Sequence, residues 1–186
     1  GREVWTLDMP GTGASPDCFW PYSAQSLSRA VMGVADQLGH DRLDIAGFSW
    51  GGALAQQVAG QFPERIGHMA LLATASQIGL ADIGWGAAFD RDVVRGSMRM
   101  PVVSPLGLTY QHLAMAGWSN MLLARSPTDR QILVMTGSDD QVIPAHTSLA
   151  LIKQLGAQRH VAISGSHLFP FAKAEDTASA LTAFFS

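Results

Sequence analysis

The stretch that most constrains this chain is Ile45-Ala46-Gly47-Phe48-Ser49-Trp50-Gly51-Gly52. It reads as an apolar strand, a glycine-bracketed turn and the start of a helix rich in small residues. The turn has the pattern G-x-S-x-G. A serine that reacts must stand clear of the sheet on a tight turn. Gly47 and Gly51 are expected to keep side chains out of the close approach between strand and helix. The helix that follows points its free N–H groups at the place where negative charge would develop.

The rest of the chain supports a packed domain around that turn. Its 186 residues suffice for one domain with a real core. Hydrophobic residues make up 47% and charged residues 15%, which is a globular profile. The net charge is −3 with no run of Lys or Arg, so neither nucleic acid nor an anionic membrane is indicated as a partner. The six histidines are scattered, without a metal-ligand spacing such as H-E-x-x-H. Cys18 is the only cysteine, which excludes an intrachain disulfide and fits a reducing compartment. No apolar run is long enough to span a bilayer, and no signal-peptide pattern opens the sequence.

Taken in order, the chain alternates strands with helices. Val4-Trp5-Thr6-Leu7 reads as a short strand, and the loop Asp8 to Pro16 is dense in Gly and Pro. The spacing predicts a helix over 23–38, with Leu27, Val31, Val34 and Leu38 on one face and Ser23 or Ser26 at its cap. Strand 42–48 enters the serine turn, helix 50–62 leaves it, and 66–73 is a buried strand. After an interruption come strand 131–136, helix 146–155 with Leu149, Ile152 and Leu155 inward, and strand 159–163. Helix 175–185 closes the chain with Ala178, Leu181, Phe184 and Phe185 buried. This alternation predicts an α/β fold: a doubly wound, mostly parallel sheet with helices on both faces. The core spans 1–75 and 127–186.

Residues 76–126 break the alternation. They hold Trp85, Phe89, Met98, Met100, Tyr110, Met115, Trp118 and Met121 among glycines and prolines, with short helices expected around 108–124. Inserted between sheet strands, this block reads as a small helical cap with an adaptable apolar lining over a pocket. Phe48, Trp85, Met115, Trp118 and Leu168 are the residues expected to line it.

A reacting serine needs a base in hydrogen-bond reach, and the base needs an acid that fixes its tautomer. In doubly wound sheets such groups sit at the carboxyl ends of strands. His167 follows the last predicted strand, and Asp139 and Asp140 follow the one before it. His40, His68, His112, His146 and His160 fall within or beside packed elements, in the cap, or at the start of an element. The order is therefore Ser49, then Asp139 or Asp140, then His167.

These motifs resemble those of the α/β-hydrolase superfamily, whose nucleophile elbow is G-x-S-x-G and whose triad runs Ser, Asp, His. Its G-x-x-D-x-x-x-P spacing is met by Gly137, Asp140 and Pro144, which assigns the acid to Asp140 and leaves Asp139 as the fallback. Asp8-Met9-Pro10-Gly11-Thr12-Gly13-Ala14-Ser15 looks like the superfamily's D-x-P-G-x-G-x-S loop. The runs Leu38-Gly39-His40, Phe48 to Gln57, Phe62-Pro63-Glu64-Arg65, Gly117-Trp118 and Gly165-Ser166-His167-Leu168-Phe169 are similar to the intracellular, medium-chain-length poly(3-hydroxyalkanoate) depolymerases.

That resemblance implies hydrolysis of polyester made of 3-hydroxy acids, in the cytoplasm or at storage granules, with no metal or organic cofactor. It implies catalytic roles for Ser49, Asp140 and His167 and an oxyanion donor in the backbone N–H of Trp50. It places further strands, and the loop carrying a second oxyanion donor, ahead of residue 1. The first strand edge at Val4–Leu7 would then be exposed, and pairing into a homo-oligomer is expected. The same triad serves small-molecule carboxylesterases, lipases and carbon–carbon bond hydrolases. A binding protein that keeps the triad without turnover is the alternative outside enzymes.

Overall fold

The computed structural model describes residues 2–77, 103–121 and 130–186. Within them β1 (Leu43–Phe48), β2 (Ile66–Leu72), β3 (Ile132–Gly137) and β4 (Arg159–Ile163) form one sheet in the order β1-β2-β3-β4, and every pairing is parallel. The helices are α1 (Ala24–Gln37), α2 (Trp50–Gln61), α3 (Pro105–Met115), α4 (Ala145–Leu155), α5 (Phe169–Ala172) and α6 (Ala174–Phe185). A 3-10 turn, Pro63–Arg65, follows α2 where Pro63 cannot continue the helix.

Strand alternation sends the apolar side chains to two cores. Met69, Leu71, Ile132 and Val134 face α1, α2 and Leu151 of α4. Their neighbours Ala70, Leu72, Leu133 and Met135 face Phe169 and the buried face of α6. Helices therefore cover both faces of a parallel sheet, the doubly wound α/β arrangement anticipated from the sequence. α1 begins with a capping box in which Ser23 and Ser26 satisfy each other's backbone N–H groups. α4 ends at Gly156 in the left-handed region.

Four expectations are corrected. Val4–Leu7 is not a strand: a strand needs a hydrogen-bonded neighbour, and among the described residues none pairs with it, so its side chains lie exposed. On α4 the buried stripe runs through Ser148 and Leu151, and Leu149 is exposed. Ser148 is drawn inward because its hydroxyl donates to the Thr74 carbonyl. On α6, Thr177 is buried in place of Ala178, which is exposed, while Phe184 is buried and Leu181 and Phe185 pack against the core as expected. Beside Gly51 the packing is open, and the close approach expected there falls to Gly52. Of the region read as a cap, residues 78–102 and 122–129, with Trp85, Phe89, Met98 and Met100, lie outside the described residues.

Candidate active site

The site is built at the carboxyl ends of β1, β3 and β4. Ser49 follows β1 and sits at φ 51°, ψ −118°, a conformation L-residues rarely adopt. Such strain costs about 1–3 kcal/mol and persists only where surrounding structure enforces it. Here Ser49 N–H donates to the Leu72 carbonyl at 2.8 Å, while its own carbonyl accepts from Gly52 N–H at 2.9 Å. Ser49 is the N-cap residue of α2, yet its side chain makes no cap hydrogen bond. The hydroxyl is left for another partner.

That partner is His167. Its Nε2 lies 2.9 Å from Ser49 Oγ, and its Nδ1 lies 2.9 Å from Asp140 Oδ2. The His167 and Asp140 side chains are only 6% and 1% exposed. The other carboxylate oxygen, Asp140 Oδ1, accepts from the N–H groups of Val142 at 2.9 Å and Ile143 at 2.8 Å. Backbone donors thus aim the carboxylate at the ring. Phe48 lies beside the imidazole, with ring centroids 5.1 Å apart, and Phe171 packs edge-on against Phe48. The structure brings Ser49, His167 and Asp140 into one hydrogen-bonded line. Chemically, such a line lets an imidazole take a hydroxyl proton while a carboxylate holds the ring and its developing charge.

Trp50 occupies the first position of α2, where a backbone N–H has no acceptor within the helix. Its indole N–H donates to the Gln111 carbonyl of α3 at 3.2 Å. The Gln111 side chain in turn donates to Thr12 Oγ1 of the Gly/Pro loop at 2.8 Å. Beside α3, burial pushes the Tyr22 phenol above its ordinary value of 10.0, with Cys18 and Asp17 adding to the shift.

The expected pocket residues separate. Phe48 and Leu168 flank His167, Leu168 being buried. Met115 and Trp118 pack within the core cluster, and Trp118 Nε1 donates to Gln57 Oε1 at 2.9 Å. Trp85 lies outside the described residues. The carboxylate hydrogen-bonded to His167 is that of Asp140; Asp139 accepts a hydrogen bond from Ser138. His160 pairs with Thr136, His112 with the Leu108 carbonyl, and His68 stacks near Phe184. Among the described residues, no group of His, Cys, Asp or Glu could hold a metal ion. No helix there is long and apolar enough to cross a membrane.

Sequence reasoning missed the polar seam behind the serine. Gln56 donates to the Gly52 and Ala75 carbonyls and accepts from Asn120, which itself accepts from Gln154. The available signal was Gln56-Gln57, two adjacent amides amid the apolar residues of α2, which burial obliges to find partners.

A strained serine turn between parallel strand and helix, with acid and base on later strand ends, defines a class of enzyme folds. The family profile described as alpha/beta hydrolase fold matches residues 1–101, and the chain belongs to that family. The poly(3-hydroxyalkanoate) depolymerase of Ectopseudomonas oleovorans is 28% identical to it, over 98% of this chain and 74% of that protein. The 2-hydroxymuconate semialdehyde hydrolase of Pseudomonas sp. (strain CF600) is 30% identical, over 86% of this chain and 68% of that protein. Among solved structures, the enol-lactonase from Burkholderia xenovorans LB400 superposes with a TM-score of 0.78 at 21% identity, covering 96% of this chain and 78% of that one. Its likeness is one of fold.

Proposed function

We propose that the chain is a carboxylic ester hydrolase acting through Ser49, His167 and Asp140, and that its substrate is poly(3-hydroxyalkanoate) or its oligomers. The observation that carries the reading is the unbroken line from Ser49 Oγ through His167 to Asp140, with both spacings at 2.9 Å. The similarity to a poly(3-hydroxyalkanoate) depolymerase along nearly the whole chain supports the substrate.

In this mechanism His167 removes the Ser49 proton as the oxygen attacks the ester carbonyl. The Trp50 backbone N–H stabilises the oxyanion. The tetrahedral adduct collapses as His167 protonates the leaving alcohol, giving an acyl-serine. Water, deprotonated by His167, then releases the acid and restores the hydroxyl. Asp140 stays ionised and holds the ring throughout. Residues 76–126 act as the cap over the acyl chain, and no metal or organic cofactor takes part. In this reading the enzyme works inside the cell, at storage polyester.

Replacing Ser49 with Ala is expected to cut turnover of p-nitrophenyl esters on the order of 10⁶-fold and to abolish fluorophosphonate labelling. Turnover retained by S49A would overturn the nucleophile. Release of 3-hydroxy acids from purified granules tests the substrate. A small-molecule reading is favoured by the relative at 30% identity, whose named substrate is 2-hydroxymuconate semialdehyde. It predicts turnover of small substrates with granules left intact. Labelling of Ser49 without turnover of any ester would instead mark a binding protein.

A further inference from the structure

The acid and the base stand on two different turns, one after β3 and one after β4, and something must hold those turns in register. The two strands stop pairing at Gly137 and Ile163, but the chains do not part there. Ser138 N–H donates to the Ile163 carbonyl at 2.9 Å, and Asp139 N–H donates to the Gly165 carbonyl at 2.9 Å. The Ser138 hydroxyl then bridges the turns. It accepts from Gly165 N–H at 3.3 Å and donates to Asp139 Oδ2 at 3.0 Å.

The direction of these bonds is fixed by chemistry. A serine hydroxyl has one proton and two lone pairs. An ionised carboxylate can only accept, so it takes that proton and leaves a lone pair facing the Gly165 N–H. Gly165 has φ 148°, a backbone suited to glycine, and lies two residues before His167. The turns are in contact as well as bonded: a Cβ on Gly137 would meet the Ser166 carbonyl oxygen at 2.6 Å and that of Gly165 at 2.7 Å. The base turn also packs on the fully buried Phe169, whose N–H donates to the Ser166 carbonyl at 3.1 Å.

We propose that Ser138 and Asp139 form a clamp that sets the His167 turn against the Asp140 turn, making Ser138 a positioning residue for the Ser49–His167–Asp140 line. This rests on the hydrolase reading above. Asp139, beside the acid that bonds the imidazole, orients the Ser138 hydroxyl. Their effect passes through the placement of His167, and a misplacement of about 1 Å at a reacting group can cost on the order of 10²-fold in rate.

The test measures ester turnover and the ¹H NMR signal of the imidazole proton between His167 Nδ1 and Asp140. Ser138→Ala is expected to lower kcat about 10- to 100-fold with KM within about two-fold, as a positioning defect requires. Its imidazole proton should exchange with water and broaden. Ser138→Thr, which keeps the hydroxyl, restores both readouts, and so does Asp139→Asn, whose amide oxygen still accepts. Asp139→Ala behaves as S138A, and the double variant S138A/D139A is no slower than either alone, because both act through one hydroxyl. Wild-type kcat and an unchanged imidazole signal in S138A would overturn the clamp, as would losses that multiply in the double variant. The NMR readout needs no turnover. A wild-type chain that hydrolyses nothing, yet loses its imidazole proton in S138A and regains it in S138T, would overturn the hydrolase reading and support the clamp.

Discussion

The glycines around Ser49 are not equivalent, and their difference sets a test at the scale of single residues. A Cβ on Gly47 would run into the Gly51 carbonyl and meet the Gly52 Cα at 2.7 Å. A Cβ on Gly52 would lie 2.6 Å from both Cβ and Cγ2 of Thr74. Beside Gly51 nothing lies within 4 Å. The motif reading assigned the close approach to Gly47 and Gly51; the structure keeps Gly47 and moves the second contact to Gly52. Gly47→Ala and Gly52→Ala are therefore expected to destabilise the fold by about 1–3 kcal/mol or more, since backbone and a β-branched side chain must yield. Gly51→Ala should stay within about 1 kcal/mol of the parent, or gain slightly from the helix propensity of alanine. Urea midpoints of the three variants check the ranking, and a G51A chain that unfolds with G47A would sink it. The contrast also shows what a sequence conveys. Ser49, Asp140 and His167 were legible because each follows a strand, and strand ends are readable from apolar runs. Gly52 was not, because its constraint is a through-space contact with Thr74, at the end of a different strand.

At the scale of elements, the Gly/Pro loop and α3 behave as one unit resting on the serine turn. Asp8 folds the loop on itself, accepting from Ala14 N–H, while Ser15 donates to the Asp8 carbonyl. Thr12 bridges to Val103, Ser104 N–H donates to the Gly11 carbonyl at 2.8 Å, and the Ser104 hydroxyl pairs with Asp17. Gly11 and Gly107 meet backbone to backbone in this dock. A Cβ on Gly107 would meet Gly11 Cα at 2.8 Å, which is backbone against backbone with no flexible atom to give way. Gly107→Ala should therefore lift α3 from the loop and stretch the hydrogen bond from Trp50 to Gln111, which is worth about 1 kcal/mol. The expected outcome is faster proteolysis within residues 103–121 and a KM raised several-fold, with thermal unfolding of the sheet little changed. Unaltered proteolysis and KM would show that the dock tolerates the methyl. The sequence located α3 only loosely, around 108–124. Its true start was written in Ser104 and Pro105, an N-cap followed by proline at the first helical position. Its face was not, since Leu106, Leu108 and Leu113 are exposed while Gly107 is buried, so no apolar stripe marks it. α4 was misread for a related reason: its most buried line includes Ser148, a polar residue whose satisfaction by Thr74 no periodicity could reveal.

Over the whole molecule, the sheet is finished unevenly. β3 is buried at every position, as a strand covered on both faces should be. Among the described residues β1 is the outermost strand on its side, with Ala46 exposed and most of its other residues half-buried. Beside it the N-terminal stretch is tethered by Arg2, which pairs with Asp44 of β1, but it adds no ladder. That stretch leaves Val4 81% and Trp5 55% exposed, and Phe19 and Trp20 stand out of the following loop at 84% and 72%. An outer strand with unpaired N–H and C=O groups, flanked by exposed apolar side chains, is a template for another chain. Expressed as these 186 residues, the protein is therefore expected to self-associate in the micromolar range through the β1 edge. Sedimentation velocity over a hundred-fold range of concentration should show the mean mass rising above the 19.8 kDa of one chain. Val4→Lys combined with Trp5→Lys should return it to that mass, because they replace the exposed apolar side chains that flank the edge with charges, which oppose strand addition. The Ser49–His167–Asp140 line lies at the carboxyl ends of the strands, so the lysine variant should keep the ester turnover of the parent. A parent chain that sediments as 19.8 kDa throughout would show that the exposed edge is tolerated without a partner.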